Sequence, residues 1–298
     1  MTSSHRRRAL VGVAGVIGAI LIAAAAAGCG GGGEVSHGHS EGQGAGVPRD
    51  LAAEWPRTDF SRRAVSLDEI SSGGPPKDGI PALDHPKFQN VRDMRYLKPS
   101  EPVIAVDVAG QVRAYPIQIL IWHEIANDTL GSVPIAVTFR PLCNSAIVFD
   151  RRSGGQVLDF GTTGRLRHSD LVMRDRATES WWQQFTGESI VGARTGSRLR
   201  QLPARIVAWQ EFRSRFPDAT VLSRDTGFDR SYGTNPYSGY DEVDSSPLFP
   251  APGTHDHRLA PKDRVVYFEA NERAVAVPFK VLQKCRSVWS NLAATGSR

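Results

Sequence analysis

Apolar and polar side chains alternate over residues 103–108 and again over 111–115, with Ala109-Gly110 between the two runs. This period-2 pattern around a short flexible pair predicts a β-hairpin with a tight turn. Pro116 suits the first position of a helix, the stretch 117–128 is apolar on most sides, and Gly131 reads as a stop. A largely buried helix is therefore expected over 117–128. Alternation also predicts strands over 134–139, 145–150 and 156–160, and a short one over 220–223. Trp209, Phe212 and Phe216 share a helical face ahead of Pro217, which predicts a helix over 208–216.

A shift of 162 positions lays 103–120 over 265–282 without a gap, with identities at Val103/Val265, Ala114/Ala276, Pro116/Pro278 and Leu120/Leu282. Both ends of the body are expected to carry a hairpin, a proline and a helix, by internal duplication or by chance recurrence of a common arrangement. Hairpins mixed with separate helices favour the α+β class. The expected fold is a β-rich single domain of hairpins with a few packed helices, over residues 56–298.

The first fifty or so residues stand outside this pattern. A basic start at Arg6, Arg7 and Arg8 is followed by an uncharged run over 9–27 and then Ala26-Ala27-Gly28-Cys29. That is the layout of an export signal, and small residues before a cysteine resemble the lipobox of bacterial lipoproteins, in which Cys29 takes lipid on its sulfur and becomes the new N-terminus. The other reading is an uncleaved membrane anchor, since a helix of this length spans roughly 28 Å. Adjacent arginines also admit twin-arginine export. Between residues 30 and 46, 8 of 17 positions are glycine. Such a segment buries too little surface to offset its ordering entropy, so 30–55 is expected to be a flexible tether, with His37 and His39 solvated within it. The expected location is the cell envelope, on the extracytoplasmic side of a bacterial membrane.

Composition narrows the class further. The 298 residues are 40% hydrophobic and 22% charged, with 29 Gly, 19 Pro and 3 Cys. These values exclude a disordered chain, a collagen, a coiled coil and a disulfide-stapled mini-protein. The net charge of +5 lies largely in the leader, and beyond it 33 basic residues face 31 acidic ones. With no basic stripe, nucleic acid is not an expected partner.

Blocks within the body carry a resemblance. They are Asp78-Gly79-Ile80-Pro81-Ala82, Arg113-Ala114-Tyr115-Pro116, Trp122-His123-Glu124-Ile125, Pro141-Leu142-Cys143-Asn144-Ser145-Ala146, Ser169-Asp170-Leu171, and Thr178-Glu179-Ser180 with Trp182-Gln183. Together, over about 78–285, they resemble the domain-of-unknown-function family 3179. The resemblance implies an exported or lipid-anchored protein whose biochemistry is not established. Many relatives carry Cys-Pro-Leu-Cys where this chain has Arg140-Pro141-Leu142-Cys143, so a Cys-x-x-Cys metal or dithiol role lacks its first cysteine here.

Cys143 is the foremost candidate for chemistry. It falls in a proline-containing turn between two strands, with Arg140 placed to stabilise a thiolate; the bland reading is a small buried thiol. His123 is the candidate base or second ligand, sharing a face of the expected helix with Asn127, and either Asn127 or Asn144 would orient its ring. Asn127 stands where a zincin helix has its second histidine, which rejects that motif. Asp170 would complete the catalytic group. Asp175, Trp182, Gln183 and Asn144 are candidate ligand-binding residues beside Arg165, Arg167, Arg174 and Arg176; the alternative is a network of surface ion pairs over a tryptophan anchor. Gly161-Thr162-Thr163-Gly164 lacks the lysine of a P-loop. His255-Asp256-His257 reads as a solvated loop, and Cys285 as core, with a Cys143–Cys285 disulfide permitted outside the cytoplasm.

Two functions remain open. One is redox, metal or acyl-transfer chemistry at Cys143 and His123, with copper or zinc as the metals such ligands hold. The other is a non-catalytic envelope lipoprotein that binds a small ligand or a partner through the same polar residues while Cys143 merely packs.

Overall fold

A computed structural model describes residues 47–249, 257–270 and 273–284. Cys29 and Cys285 lie outside the described residues, as do His255 and Asp256. No helix among the described residues is long and apolar enough to cross a membrane.

The fold is mostly β-sheet with a few short helices in one domain. Pro102–Val108 and Gln111–Pro116 form the expected hairpin, turning through Ala109 and Gly110, both with positive φ. They lie inside a five-stranded sheet ordered Ala204–Ala208, Pro102–Val108, Gln111–Pro116, Thr220–Leu222 and Phe88–Asn90, in which only Thr220–Leu222 runs parallel to its neighbour Gln111–Pro116. A second sheet orders Gln201–Leu202, Ser145–Asp150, Val133–Arg140 and Ile125–Leu130. The third orders Ile70–Ser72, Phe160–Arg167, Asp170–Asp175, Trp181–Gln183 and Ser189–Val191.

The second sheet is the middle layer, and Val133–Arg140 shows why. All of its residues but the first are buried. Ile135, Val137 and Phe139 pack with Ile104, Val106 and Tyr115 of the first sheet, whereas Ala136 packs with Phe160, Met173 and Trp182 of the third. Each aliphatic side chain so buried contributes about 1.5–3 kcal/mol. A strand apolar on both faces loses the alternation that marks a half-exposed one.

The same physics corrects the expected helix at 117–128. Only Ile117–Leu120 is helical, and Ile125–Leu130 is a strand that turns at Gly131 (φ +61°) to pair with Val133–Arg140. A run apolar on most sides fits a buried helix and a buried strand equally well; sheet pairing decided between them. Residues 156–160 likewise divide into a short pair with Arg152–Ser153 and the start of the long strand Phe160–Arg167. The helix expected at 208–216 is Trp209–Arg215, with Trp209 and Phe212 buried.

The body also begins earlier than residue 56. Arg49–Glu54 is a helix, and Leu51 and Trp55 pack in a cluster with Phe60, Val172 and Trp181, so residues 49–55 are not tether. Near the C-terminus, Val265–Ala270 pairs with Arg273–Pro278, and Phe279–Lys284 follows as a helix. Val265 opposes Pro278 just as Val103 opposes Pro116.

Gly164 has a structural duty at the irregularity between Thr162 and Arg165. Its φ is +71°, and a Cβ there would collide with the Pro75 carbonyl oxygen. Only glycine admits both the left-handed backbone and that approach.

Candidate functional site

Strand alternation aims Thr138 and Arg140 into the space between the middle and third sheets. Thr138 Oγ1 accepts from Gln184 Nε2 at 2.8 Å, and Arg140 Nε donates to the Ser169 carbonyl at 3.3 Å. Glu124 precedes the neighbouring strand with a left-handed backbone (φ +57°) and passes its carbonyl to the Phe139 N–H. Its carboxylate accepts from Arg140 Nη1 at 2.6 Å, and the side chains of Glu124 and Arg140 are 1% and 6% exposed. A bulky residue in that backbone region is strained, and such strain persists where the surroundings over-determine it.

Cys143 sits in the turn between Val133–Arg140 and Ser145–Asp150, open to solvent, and its sulfur donates to the Ser169 carbonyl at 3.6 Å. Asp170 is buried in the next strand pair. Its Oδ2 accepts from Gln183 Nε2 and from the Phe185 N–H, while its Oδ1 has no hydrogen-bond partner among the described residues.

Desolvation dominates the electrostatics. Burial raises the Glu124 carboxyl, against the pull of Arg140, and Asp170 adds to the rise. Burial raises Asp170 as well, against its hydrogen bonds and Arg140. The protein around the sulfur, then the charges of Asp170 and Glu124, push the Cys143 thiol up to about 12 despite Arg140. Arg140 therefore does not make Cys143 a thiolate near neutral pH: desolvation first, and the two carboxylates after it, outweigh one guanidinium.

His123 is not the partner of Cys143. The ring is buried, and Nδ1 lies 2.7 Å from the Pro81 carbonyl, an acceptor, so Nδ1 carries the hydrogen. Nε2 then accepts from the Tyr232 hydroxyl at 2.6 Å, which in turn accepts from Thr226 Oγ1 at 2.5 Å. Phe228 and Tyr232 flank the imidazole at 5.2 and 5.8 Å, and burial lowers its pKa. With both ring nitrogens occupied, neither serves Cys143, and the Cys–His dyad is not assembled. Nor is a copper or zinc centre: among the described residues no three His, Cys, Asp or Glu side chains are grouped to hold a metal ion.

The other expected residues divide in the same way. Asn127 is in a strand, not on a helix with His123, and pins the third sheet by donating to the Phe160 carbonyl and accepting from the Phe160 N–H. Asn144 is exposed with φ +48° and shapes the turn. Asp175 accepts from the Thr178 N–H and from Trp182 Nε1 at 2.9 Å, so Asp175 and Trp182 are packed structure with no open face for a ligand. Gln183 positions Asp170. Among the described residues the arginines form their ion pairs with other carboxylates, although Arg167 lies opposite Asp170 in the strand register. Arg165, Arg167, Arg174 and Arg176 pair with Glu54, Glu69, Asp78 and Asp84 and clasp the N-terminal segment to the third sheet.

A cavity of about 260 Å³ opens over the Glu124–Arg140 pair. Its walls are largely apolar, drawn from Leu142 of the Cys143 turn, from Leu166 and Leu171 of the third sheet, and from Tyr237, Leu248 and Phe249 of the long segment after Leu222. Burial raises the Tyr237 hydroxyl, and Glu124 adds to the rise. The sequence reading singled out neither the ion pair as a floor nor Tyr237 as a wall. The one available signal was a lone Glu and a lone Arg bordering apolar runs.

No curated protein matches the chain, and no solved structure does. A family model, however, matches residues 77–296, so the chain belongs to the family described as proteins of unknown function, DUF3179.

Proposed function

We propose that this protein is a non-catalytic binding lipoprotein, held on the extracytoplasmic side of a bacterial membrane by a lipid on Cys29, that takes a small ligand into the cavity over Glu124 and Arg140. The observation that carries this reading is the cavity itself, with largely apolar walls that also hold Thr162, Arg165 and Tyr237 and with a buried ion pair at its floor, which is the usual make-up of a small-molecule site. An apolar cavity of about 150 Å³ holds benzene, so about 260 Å³ suits a bicyclic ring or a substituted benzene. Redox, metal or acyl-transfer chemistry would need a thiolate beside an imidazole, and here the thiol is pushed up while the ring is bonded elsewhere. The shared register of the two hairpins, 162 positions apart, supports an internal duplication of the hairpin–proline–helix unit.

Indole serves as the test probe. It is expected to raise the melting temperature of the parent and to do nothing for Leu142→Trp, whose larger side chain fills the cavity. An absent shift in the parent, or an equal shift in both, refutes the site. For the address, Cys29→Ala is expected to move the protein from the membrane fraction to the soluble one; unchanged membrane retention refutes lipidation at Cys29.

A further inference from the structure

The floor of the cavity carries one full positive and one full negative charge in contact, both nearly sealed from water. Asp170 and Cys143 are titratable groups around Glu124 and Arg140, Tyr237 faces the pair from the opposite wall, and Arg165, which also lines the cavity, is committed to Glu54 at 2.7 Å. The Glu124–Arg140 pair sums to zero net charge but is strongly dipolar.

A ligand bearing a carboxylate would set a second negative charge beside Glu124, and one bearing an ammonium a second positive charge beside Arg140. Either leaves a buried charge without compensation. A purely apolar ligand would strip water from the pair and return no hydrogen bond. The named bonds of Arg140 use two of its five N–H donors, and Glu124 accepts through one of its two oxygens. A donor and an acceptor side by side match a group that offers an acceptor and a donor on neighbouring atoms.

Resting on the binding reading above, we infer that the cavity recognises an uncharged carboxamide on an apolar, ring-sized body. The ligand C=O accepts from Arg140, its N–H donates to Glu124, and the apolar part lies against Leu142, Leu171 and Phe249.

Three probes of one skeleton test this by NMR titration at pH 7: phenylacetamide, phenylacetate and 2-phenylethylamine, with indole as reference. Phenylacetamide is expected to bind about tenfold more tightly than either charged analogue. In Glu124→Gln, which leaves Arg140 without its counter-charge, the order is expected to reverse in favour of phenylacetate. A charged analogue binding the parent as tightly as the amide overturns the inference and leaves the cavity a binding site. Indole binding while all three probes fail has the same consequence. Failure of indole as well removes both readings. Phenylacetamide preferred in the parent and equally in Glu124→Gln also overturns the inference, because preference then follows hydrophobicity rather than the ion pair.

Discussion

Arg140→Met is the substitution that most directly tests the buried floor. Methionine fills much of the arginine volume but removes the guanidinium 2.6 Å from Glu124, leaving a carboxylate whose side chain is 1% exposed with no counter-charge. Breaking one side of a buried pair costs about 3–5 kcal/mol, well above the loss of an exposed bridge. In a domain of this size each kcal/mol corresponds to about 2–4 °C, so the melting temperature should fall by roughly 6–20 °C. The double variant Arg140→Met/Glu124→Gln removes the orphaned charge and should recover at least half of the loss. Because burial already raises the Glu124 carboxyl, the single variant relieves its strain by taking a proton. Its deficit should therefore shrink as pH falls from 8 to 5. Urea denaturation of the three proteins across that range supplies the measurement. A single-variant deficit below about 1 kcal/mol, or a double variant no more stable than the single, would refute the assignment of a sealed ion pair.

Three further outcomes follow from the same geometry. Asp170 binds its proton more strongly folded than unfolded, so its stabilising contribution is complete below pH 3.8 and lost as pH rises through its folded value. Asp170→Asn should gain on the parent between pH 4 and 7, and a constant difference in denaturation midpoint would contradict this. A Cys143 thiol near 12 leaves about one part in ten thousand as thiolate at pH 8, so disulfide-exchange labelling at that residue, followed by peptide mass, should run about 100-fold slower than for a free cysteine, allowing for the higher nucleophilicity of a more basic sulfur. Labelling at the free-cysteine rate would show an ordinary thiol pKa and refute the upward shift. Finally, Gly164→Ala should cost about 2–4 kcal/mol, because the new Cβ meets the Pro75 carbonyl, whereas Gly155→Ala, with φ +76° and nothing within 4 Å, should cost only about 1 kcal/mol. Equal losses in calorimetry would deny the close contact.

How far the sequence reaches depends on how local the cause is. The hairpin of Pro102–Val108 and Gln111–Pro116 was legible because alternation and the Ala109-Gly110 turn are properties of neighbouring residues. The helix Trp209–Arg215 was legible for the same reason, with its aromatic face and Pro217 within one short window. Ile125–Leu130 was misread because a stretch apolar on most sides states only that it is largely buried. Phe160–Arg167 went unseen because Gly161-Thr162-Thr163-Gly164 has no strand pattern of its own; it is held by Ile70–Ser72 on one side and Asp170–Asp175 on the other.

The site follows the same division. Cys143 in a turn between strands was foreseen correctly, as was the presence of Arg140 nearby, but the sign of the effect on the thiol was not, since it depends first on the protein that desolvates the sulfur and then on Asp170 and Glu124, all from other segments. Pairing of His123 with Cys143 was a guess about distance, and Pro81 and Tyr232 claimed the ring first. The sequence by itself determined the family, the local hairpins and the polar residues available. Which two sheet faces close over Glu124 and Arg140 was decided only by tertiary pairing, because the energy of a charge depends on how much water its distant neighbours exclude.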